Sequence, residues 1–291
     1  MYIPQLQDIS WVLPYRTEAL TEYFKAYMVF GQPSVYLFIL AAYFWYSGSR
    51  FSIFLAFTTC VATFVCNFMK LVFQIPRPPV EHQLIDVSSF GFPSGDVLLV
   101  TTFWIVMALH FKSRWLYALC IFLIPNVMMS RMYLGVHSQL DVTVGMLIGG
   151  ATAFALNSQR FQSLFESWVN GEKLKSYWIT YLIAFVLVIF AFPETINNPI
   201  SVSFGAFFGL GLAFSKGIKF YDAETRASLY MISAAITMLA LLYIFIPSTF
   251  ISGQYKWVNQ TVKFAIITSY IFYFVPKCLN AIQQNEELRD A

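Results

Sequence analysis

Three groups of polar residues stand in order in an otherwise apolar chain. They are Lys70, six residues, then Arg77-Pro78; Pro93-Ser94-Gly95-Asp96; and Ser130-Arg131, five residues, His137, three residues, Asp141. Lys70, Arg77 and Arg131 are cations that a membrane resists burying, so together they require an anion. A phosphate group suits them, because a guanidinium fork grips its oxygens bidentately. Pro76, Pro78 and Pro79 stop any helix that carries Lys70 and hold Arg77 on an extended segment. Ser94 and Gly95 read as a helix N-terminus, where free amides and the helix dipole favour an oxyanion. His137 and Asp141 are spaced to share one face of a helix start. The carboxylate can hold one ring nitrogen there and leave the other as a nucleophile or base.

Taken singly, each group has an ordinary reading. A lysine at the end of a membrane span snorkels to the headgroups. An Arg-Pro pair is common loop chemistry, Pro-Ser-Gly is a common helix cap, and a lone histidine near an interface is more often structural than catalytic. These readings do not explain why all three groups fall in order on one side of the same set of spans.

The elements that must position these residues are membrane helices. Nine apolar stretches approach the ~20 residues needed to cross the hydrocarbon core: 27–47, 51–73, 95–111, 115–131, 140–157, 176–193, 200–215, 228–247 and 262–280. The expected fold is an all-α, polytopic membrane helix bundle of about nine transmembrane helices. Ahead of it, residues 10–26 place Trp11, Leu13, Leu20, Tyr23 and Phe24 on a helical period, the pattern of an amphipathic helix lying in the membrane interface. Trp45, Trp115, Trp178 and Trp257 fall near span ends as an aromatic belt would place them. Gly145–Gly149 and Gly205–Gly209 have the spacing that lets helices approach closely.

Composition agrees. Of 291 residues 58% are hydrophobic and only 11% charged, with a mean hydropathy of +0.63, against about 25% charged in a soluble domain. A soluble fold of this size could not hide so much apolar surface. The net charge of +3 is scattered, which excludes a nucleic-acid footprint. Cys60, Cys66, Cys120 and Cys278 form no disulfide framework and read as buried or cytosol-facing thiols. The first residues lack the pattern of a cleaved signal peptide, so the first span is expected to direct insertion.

With nine spans, one loop face carries eleven basic residues, from Arg50 to Arg289, and the other carries Arg16, Lys25, Lys256 and Lys263 in addition to Lys70, Arg77 and Arg131, which the phosphate reading already accounts for. The positive-inside rule puts the first face and the C-terminus in the cytoplasm. The three polar groups then face outward. The chain divides into an interfacial segment 1–26, a core 27–157, a polar cytoplasmic linker 158–175 and an additional four-helix membrane region 176–291.

At this point a resemblance becomes specific. Lys-x6-Arg-Pro, Pro-Ser-Gly-His and Ser-Arg-x5-His-x3-Asp are the signature of the phosphatidic acid phosphatase type 2 superfamily. Lys70-LVFQIP-Arg77-Pro78 and Ser130-Arg131-MYLGV-His137-SQL-Asp141 resemble it in full. Gly91-Phe92-Pro93-Ser94-Gly95 and Tyr133-Leu134-Gly135-Val136-His137 are similar to its bacterial members, which implies a bacterial cytoplasmic membrane. The likeness covers residues 27–157. It implies that His137 attacks phosphorus to form a phosphohistidine, with Asp141 orienting its ring. It further implies that Lys70, Arg77 and Arg131 bind the phosphoryl oxygens, that Ser94 and Gly95 add donors, and that neither metal nor cofactor takes part.

The departure is Asp96, where the family pattern has a histidine that protonates the departing lipid alcohol. Three readings stay open. Asp96 is kept protonated and acts as the acid, a role that three nearby cations oppose. Alternatively, the substrate needs no acid because a diphosphate expels a phosphate monoester, whose second pKa is about 6. In the third reading the site only binds phosphate headgroups. Glu81, His82 and Asp86 lie in a 79–92 loop that would roof the site, most simply as a solvated face.

The leading expectation is a membrane phosphatase acting on a lipid phosphate or, in preference, an isoprenyl diphosphate. A phosphotransferase that passes the same phosphoryl group to a lipid acceptor is the rival within enzymes. A non-catalytic lipid-phosphate binder or transporter is the rival outside them.

Overall fold

The computed structural model describes residues 8–87, 89–191, 200–217, 235–240 and 256–278. Every regular element among them is helical, as the long apolar runs required. Ten α-helices are named here: α1 Glu18–Ala26, α2 Pro33–Ser47, α3 Arg50–Phe73, α4 Gly95–Phe111, α5 Arg114–Tyr133, α6 Gln139–Leu156, α7 Gln159–Val169, α8 Leu174–Ala191, α9 Ile200–Lys216 and α10 Lys256–Ser269. Residues 235–240 are also helical. Among the described residues four helices, α3, α5, α6 and α8, are long and apolar enough to cross a membrane. A fifth span is possible by length and composition if Glu18–Gly31 and Pro33–Ser47 are counted together as one broken helix. The chain is an integral membrane protein. The expected span 228–247 lies largely outside the described residues.

Contacts divide the chain into two compact units: Met1–Val35 with Val61–Ser158, and Tyr36–Cys60 with Gln159–Ala291. This division differs from the boundaries read from the sequence, which kept residues 36–60 with the core. The expected first span, 27–47, is also interrupted. A 3-10 turn, Tyr27–Gly31, ends at Gln32, whose backbone is extended (φ −80°, ψ 119°), and α2 begins at Pro33. Proline donates no amide and favours a first helical position, which is why a helix restarts there.

In the first unit α4 packs against α5 and α6. The α4–α6 contact is close because α6 presents glycine to it. A Cβ on Gly145 would lie 2.7 Å from the Ser94 carbonyl oxygen, and one on Gly149 would lie 2.7 Å from that of Leu98. The Thr102 hydroxyl donates to the Gly149 carbonyl at 3.1 Å, adding a polar tie where the backbones meet. Such small-residue contacts suit helices in lipid, where packing replaces the hydrophobic effect as the driving force. The apolar interior between α4 and α5 is Val97, Val100, Ala108, Cys120, Leu123, Ile124 and Val127.

The N-terminal segment is part of this unit. A 3-10 helix, Ser10–Tyr15, precedes α1, and Thr17 caps α1 by accepting from the Leu20 amide. Val12 is buried with Tyr133, Leu134 and Val136, and Phe24, Met28 and Ile85 pack on the same cluster. The Ser130 hydroxyl donates to the Phe24 carbonyl at 2.7 Å. The segment expected to lie in the membrane interface is therefore seated on the end of α5.

In the second unit residues 159–169, expected to belong to a polar linker, form the amphipathic helix α7. Phe165 stacks edge-on against Phe54 and Phe214, and Trp168 against Tyr177. The helix α9 lies along α10, with the Thr261 hydroxyl donating to the Ser201 carbonyl. Gly209 makes that approach possible, since its Cβ would stand 2.7 Å from the Ala265 carbonyl oxygen.

Candidate active site

All eight residues singled out from the sequence fall in the first unit. Lys70 closes α3, on its last turn. The chain then leaves the helix through Gln74, whose φ of 47° breaks the helical path, and runs extended through Pro76 to Pro79. Arg77 sits on this segment as its proline neighbours demand. Ser94 is the N-cap of α4, followed by Gly95 and Asp96 in the first turn. Arg131 is in the last turn of α5. His137 lies in the turn between α5 and α6, just before Ser138, the N-cap of α6.

Arg77 is the hub. Its Nε donates to the Ser89 carbonyl at 2.7 Å and its Nη2 to the Ser89 hydroxyl at 2.9 Å. Nη1 donates to the Val136 carbonyl at 2.7 Å and stands 3.1 Å from His137 Nε2. The Lys70 ammonium reaches the same Ser89 hydroxyl at 3.5 Å. One hydroxyl thus stands between two cations. A guanidinium can only donate, so its contact with Nε2 requires a lone pair there. The ring proton then belongs on Nδ1.

Nδ1 faces Asp141. Its distance to Oδ2 is 3.6 Å, longer than a hydrogen bond. The same Oδ2 accepts from the Ser138 amide at 2.8 Å, while the Ser138 hydroxyl accepts from the Asp141 amide. This reciprocal pair is a capping box, and it fixes the carboxylate beside the ring. The expectation that His137 and Asp141 share the helix start is corrected in one respect: His137 precedes the cap, and only Asp141 is within α6. Both are almost fully buried, at 2% and 1% exposure. Burial, the main cause, together with Arg77 and Lys70, pushes the His137 pKa down to about 4 against the opposing pull of Asp141. The imidazole is neutral at physiological pH.

Asp96 and Arg131 form an ion pair, Oδ2 to Nε 2.9 Å. Arg131 Nη2 also reaches the Met28 carbonyl at 3.5 Å. Gly31 lies over this pair: a Cβ there would come 2.7 Å from Cβ and Cγ of Asp96. Ser94 donates its amide to the Asp141 carbonyl at 3.0 Å, which ties the start of α4 to the start of α6. Its hydroxyl is buried and has no hydrogen-bond partner. Among the described residues no three His, Cys, Asp or Glu side chains are grouped to hold a metal ion.

Sequence reasoning missed Ser89, Arg16 and Gly31. Ser89 carries no signal beyond its place in the 79–92 loop. Arg16 had counted only as a loop charge. Its Nη2 donates to the carbonyls of His82 and Tyr133 at 2.7 and 2.8 Å, and its Nε donates to Tyr133 at 3.1 Å. In the same loop Glu81 and Asp86 are exposed.

Residues 51–165 match the family model of the PAP2 superfamily. The chain carries a PAP2-superfamily domain. This PAP2 domain includes all eight candidate residues. The chain is 21% identical over 214 residues to a protein named probable sphingosine-1-phosphate phosphatase from Dictyostelium discoideum, covering 68% of this chain and 52% of that one. It is 36% identical over 88 residues to an undecaprenyl-diphosphatase from Sulfolobus acidocaldarius, covering 30% and 38%. It therefore spans about half or less of the length of these two relatives. A solved PAP2-type phosphatidylglycerolphosphate phosphatase from Bacillus subtilis is similar to 51% of this chain and 80% of its own, with 22% identity and a TM-score of 0.47.

Proposed function

We propose that this PAP2 protein is an integral-membrane phosphatase that removes phosphate from lipid phosphates and, in preference, from an isoprenyl or other lipid diphosphate. The observation that carries the reading is the 3.1 Å contact between Arg77 Nη1 and His137 Nε2. It presents a neutral ring, with its lone pair on Nε2, at the guanidinium that would hold the phosphoryl group. An oriented nucleophile has no purpose in a protein that merely binds phosphate. The named relatives act on a lipid monophosphate and a lipid diphosphate respectively, and both substrate classes fit this chemistry.

In this mechanism Nε2 of His137 attacks phosphorus and the N–P bond forms as the P–O bond to the leaving group breaks. Lys70, Arg77 and Arg131 hold the phosphoryl oxygens and stabilise the charge that spreads over them in the transition state. The Ser94 hydroxyl and the Gly95 amide add donors. The Asp141 carboxylate faces the Nδ1–H of His137 from 3.6 Å and closes on it as an acceptor when the ring gains charge; such bonds are often long in free enzymes and tighten with substrate. Water then cleaves the phosphohistidine, releasing phosphate and returning the neutral ring.

The preference for a diphosphate follows from Asp96. Paired with Arg131 at 2.9 Å, its carboxylate accepts and does not donate. An alkoxide would leave without a proton, whereas a lipid monophosphate leaves readily with a second pKa of about 6. The site is assigned to the outward face of the membrane, with the C-terminus in the cytoplasm, on the distribution of basic loop residues. The chemistry belongs to the core read as 27–157, which holds all three polar groups; residues 176–291 carry none of these motifs.

The test is phosphate release by the purified full chain from a long isoprenyl diphosphate, phosphatidylglycerol phosphate and phosphatidic acid, with His137→Ala as control. Release from the diphosphate that is lost in the variant is the expected result. No release from any of the three, and no transfer to an added lipid alcohol, would leave only a phosphate-binding protein.

A further inference from the structure

The loop that carries Arg77 and Ser89 and the turn that carries His137 come from different parts of the chain, and three cross-links join them. Arg77 itself donates to the Val136 carbonyl. The Leu84 amide donates to the Leu134 carbonyl at 2.9 Å. The third link is Arg16, which bonds the carbonyl of His82 on the loop and that of Tyr133 at the head of the turn.

These links differ in what substrate would do to them. A phosphoryl group seated beside Arg77 competes for the Nη1 hydrogen that now goes to Val136 and His137. That link must loosen or be shared each time the site is occupied. The Arg16 link does not face that competition, because its partners are the backbone carbonyls of His82 and Tyr133, neither of which is a residue of the proposed phosphate clamp. It is also firmly built. Tyr133 is the last residue of α5, so its carbonyl is one of the orphans a helix end leaves for an outside donor. The Tyr133 hydroxyl accepts from the Thr17 amide at 2.9 Å and donates to the Thr17 carbonyl at 3.1 Å. Val12 is buried against Tyr133, Leu134 and Val136. Gly135 turns the chain at a φ of 79°, and a Cβ there would lie 3.0 Å from Arg16 Nη2. Side chain, cap and turn fit one another.

We propose that Arg16 is a positioning residue of the active site: its guanidinium pins the Arg77–Ser89 loop to the His137 turn and keeps nucleophile and phosphate clamp in register during turnover. The N-terminal segment is then a working part of the catalytic unit rather than a membrane anchor beside it. Arg16 acts through Arg77 and His137 and touches no reacting atom. This role rests on the phosphatase reading for its kinetic consequence, though the clamp itself does not.

The test uses the full chain in detergent or nanodiscs, comparing wild type with Arg16→Ala, Arg16→Lys, Lys25→Ala and His137→Ala. Lys25 is on the same segment and, among the described residues, pairs with Glu22 on its own helix, so Lys25→Ala is expected to match wild type. For Arg16→Ala, kcat per folded molecule should fall about 100-fold, the usual cost of an ångström-scale misplacement, with KM little changed. Arg16→Lys, which can reach one carbonyl but not both, should recover part of the loss. It also keeps the test alive if the alanine variant does not fold. The acid limb of the pH profile should move up from about 4, because a freed loop admits water and withdraws Arg77 from a ring otherwise faced by Lys70 and Asp141. Backbone hydrogen exchange at Leu84 and through residues 82–91 should quicken in Arg16→Ala.

Unchanged kcat and acid limb in a folded Arg16→Ala protein would overturn the proposal. So would a rise in KM with kcat intact, which would make Arg16 a substrate ligand. If wild type and His137→Ala are equally inactive, the phosphatase reading fails, and hydrogen exchange still decides the clamp. Faster exchange in Arg16→Ala supports it and unchanged exchange overturns it.

Discussion

The Asp96 carboxylate lies 2.9 Å from the Arg131 guanidinium, with Arg131 only 4% exposed and Asp96 30% exposed. The pair sits at the first turn of α4 and the last turn of α5, so two helix ends that each point a charge at the site neutralise one another. A buried arginine without a partner would be costly, and Asp96 is the counter-charge that holds it there in the absence of phosphate.

In the proposed mechanism this pair makes Asp96 the position that sets leaving-group preference. Asp96→His should restore a proton donor to the departing oxygen and raise phosphatidic acid hydrolysis by about 10²–10⁴-fold, the usual worth of a positioned acid. Diphosphate hydrolysis should change far less. Measuring both substrates with one preparation checks this; an equal change in both would mean Asp96 does not govern the leaving group.

Arg77→Lys should be nearly as damaging as Arg77→Ala. The guanidinium makes bonds in three directions, to both polar groups of Ser89 and to Val136, and an ammonium on a flexible stem cannot reproduce the fork. The loss in kcat/KM should be about 10²–10³-fold, the range seen when one donor to a developing oxyanion is removed. Lysine activity close to wild type would show that charge alone suffices.

The His137 ring should titrate at about 4, well below the ~6.5 of a free imidazole. The reactive form is neutral, so acid removes activity only near and below the folded pKa. The sign for stability follows from the same shift. Between about pH 6.5 and 4 the unfolded ring binds a proton that the folded ring does not, so acidification through this window destabilises the fold. NMR of labelled histidine, with the His137 signal identified by its loss in His137→Ala, checks the midpoint; a value near 6.5 would mean the ring is neither buried nor crowded by cations.

Gly145→Val should impair catalysis without replacing any residue of the proposed catalytic machinery. The new side chain would press on the Ser94 carbonyl, 2.7 Å from its Cβ, and push the start of α4 away from Asp141. Overpacking of this kind costs about 1–3 kcal/mol, and activity at temperatures where the variant is folded should still be reduced. Substituting Gly150, whose Cβ would meet only the Ile105 methyl at 4.0 Å, with alanine should do neither.

The candidate site was legible because its residues punctuate apolar helices. Lys70, Ser94, Arg131 and Asp141 could be placed at helix ends from sequence, since charges and caps have no other stable place in such a chain. Arg77 could be placed on an extended segment because prolines flank it. Arg16 and Ser89 could not be found this way. Their partners are backbone carbonyls and cations distant in sequence, and a carbonyl leaves no trace in residue identity. The helix α7 was read as part of a polar linker because its charged face dominates the composition, whereas Phe165 and Trp168 supply the face that buries.

The sequence by itself determined an all-helical membrane protein, the three polar groups that punctuate its apolar runs and the carboxylate at position 96. Hydropathy and spacing are local properties, and membrane burial leaves a backbone little choice but helix. Only the tertiary structure decided that Asp96 pairs with Arg131, that Arg77 meets His137 Nε2, and that the N-terminal segment is seated on the end of α5. Those pairings depend on how helix ends are brought together by close packing at Gly145 and Gly149, and no local pattern encodes which end will meet which.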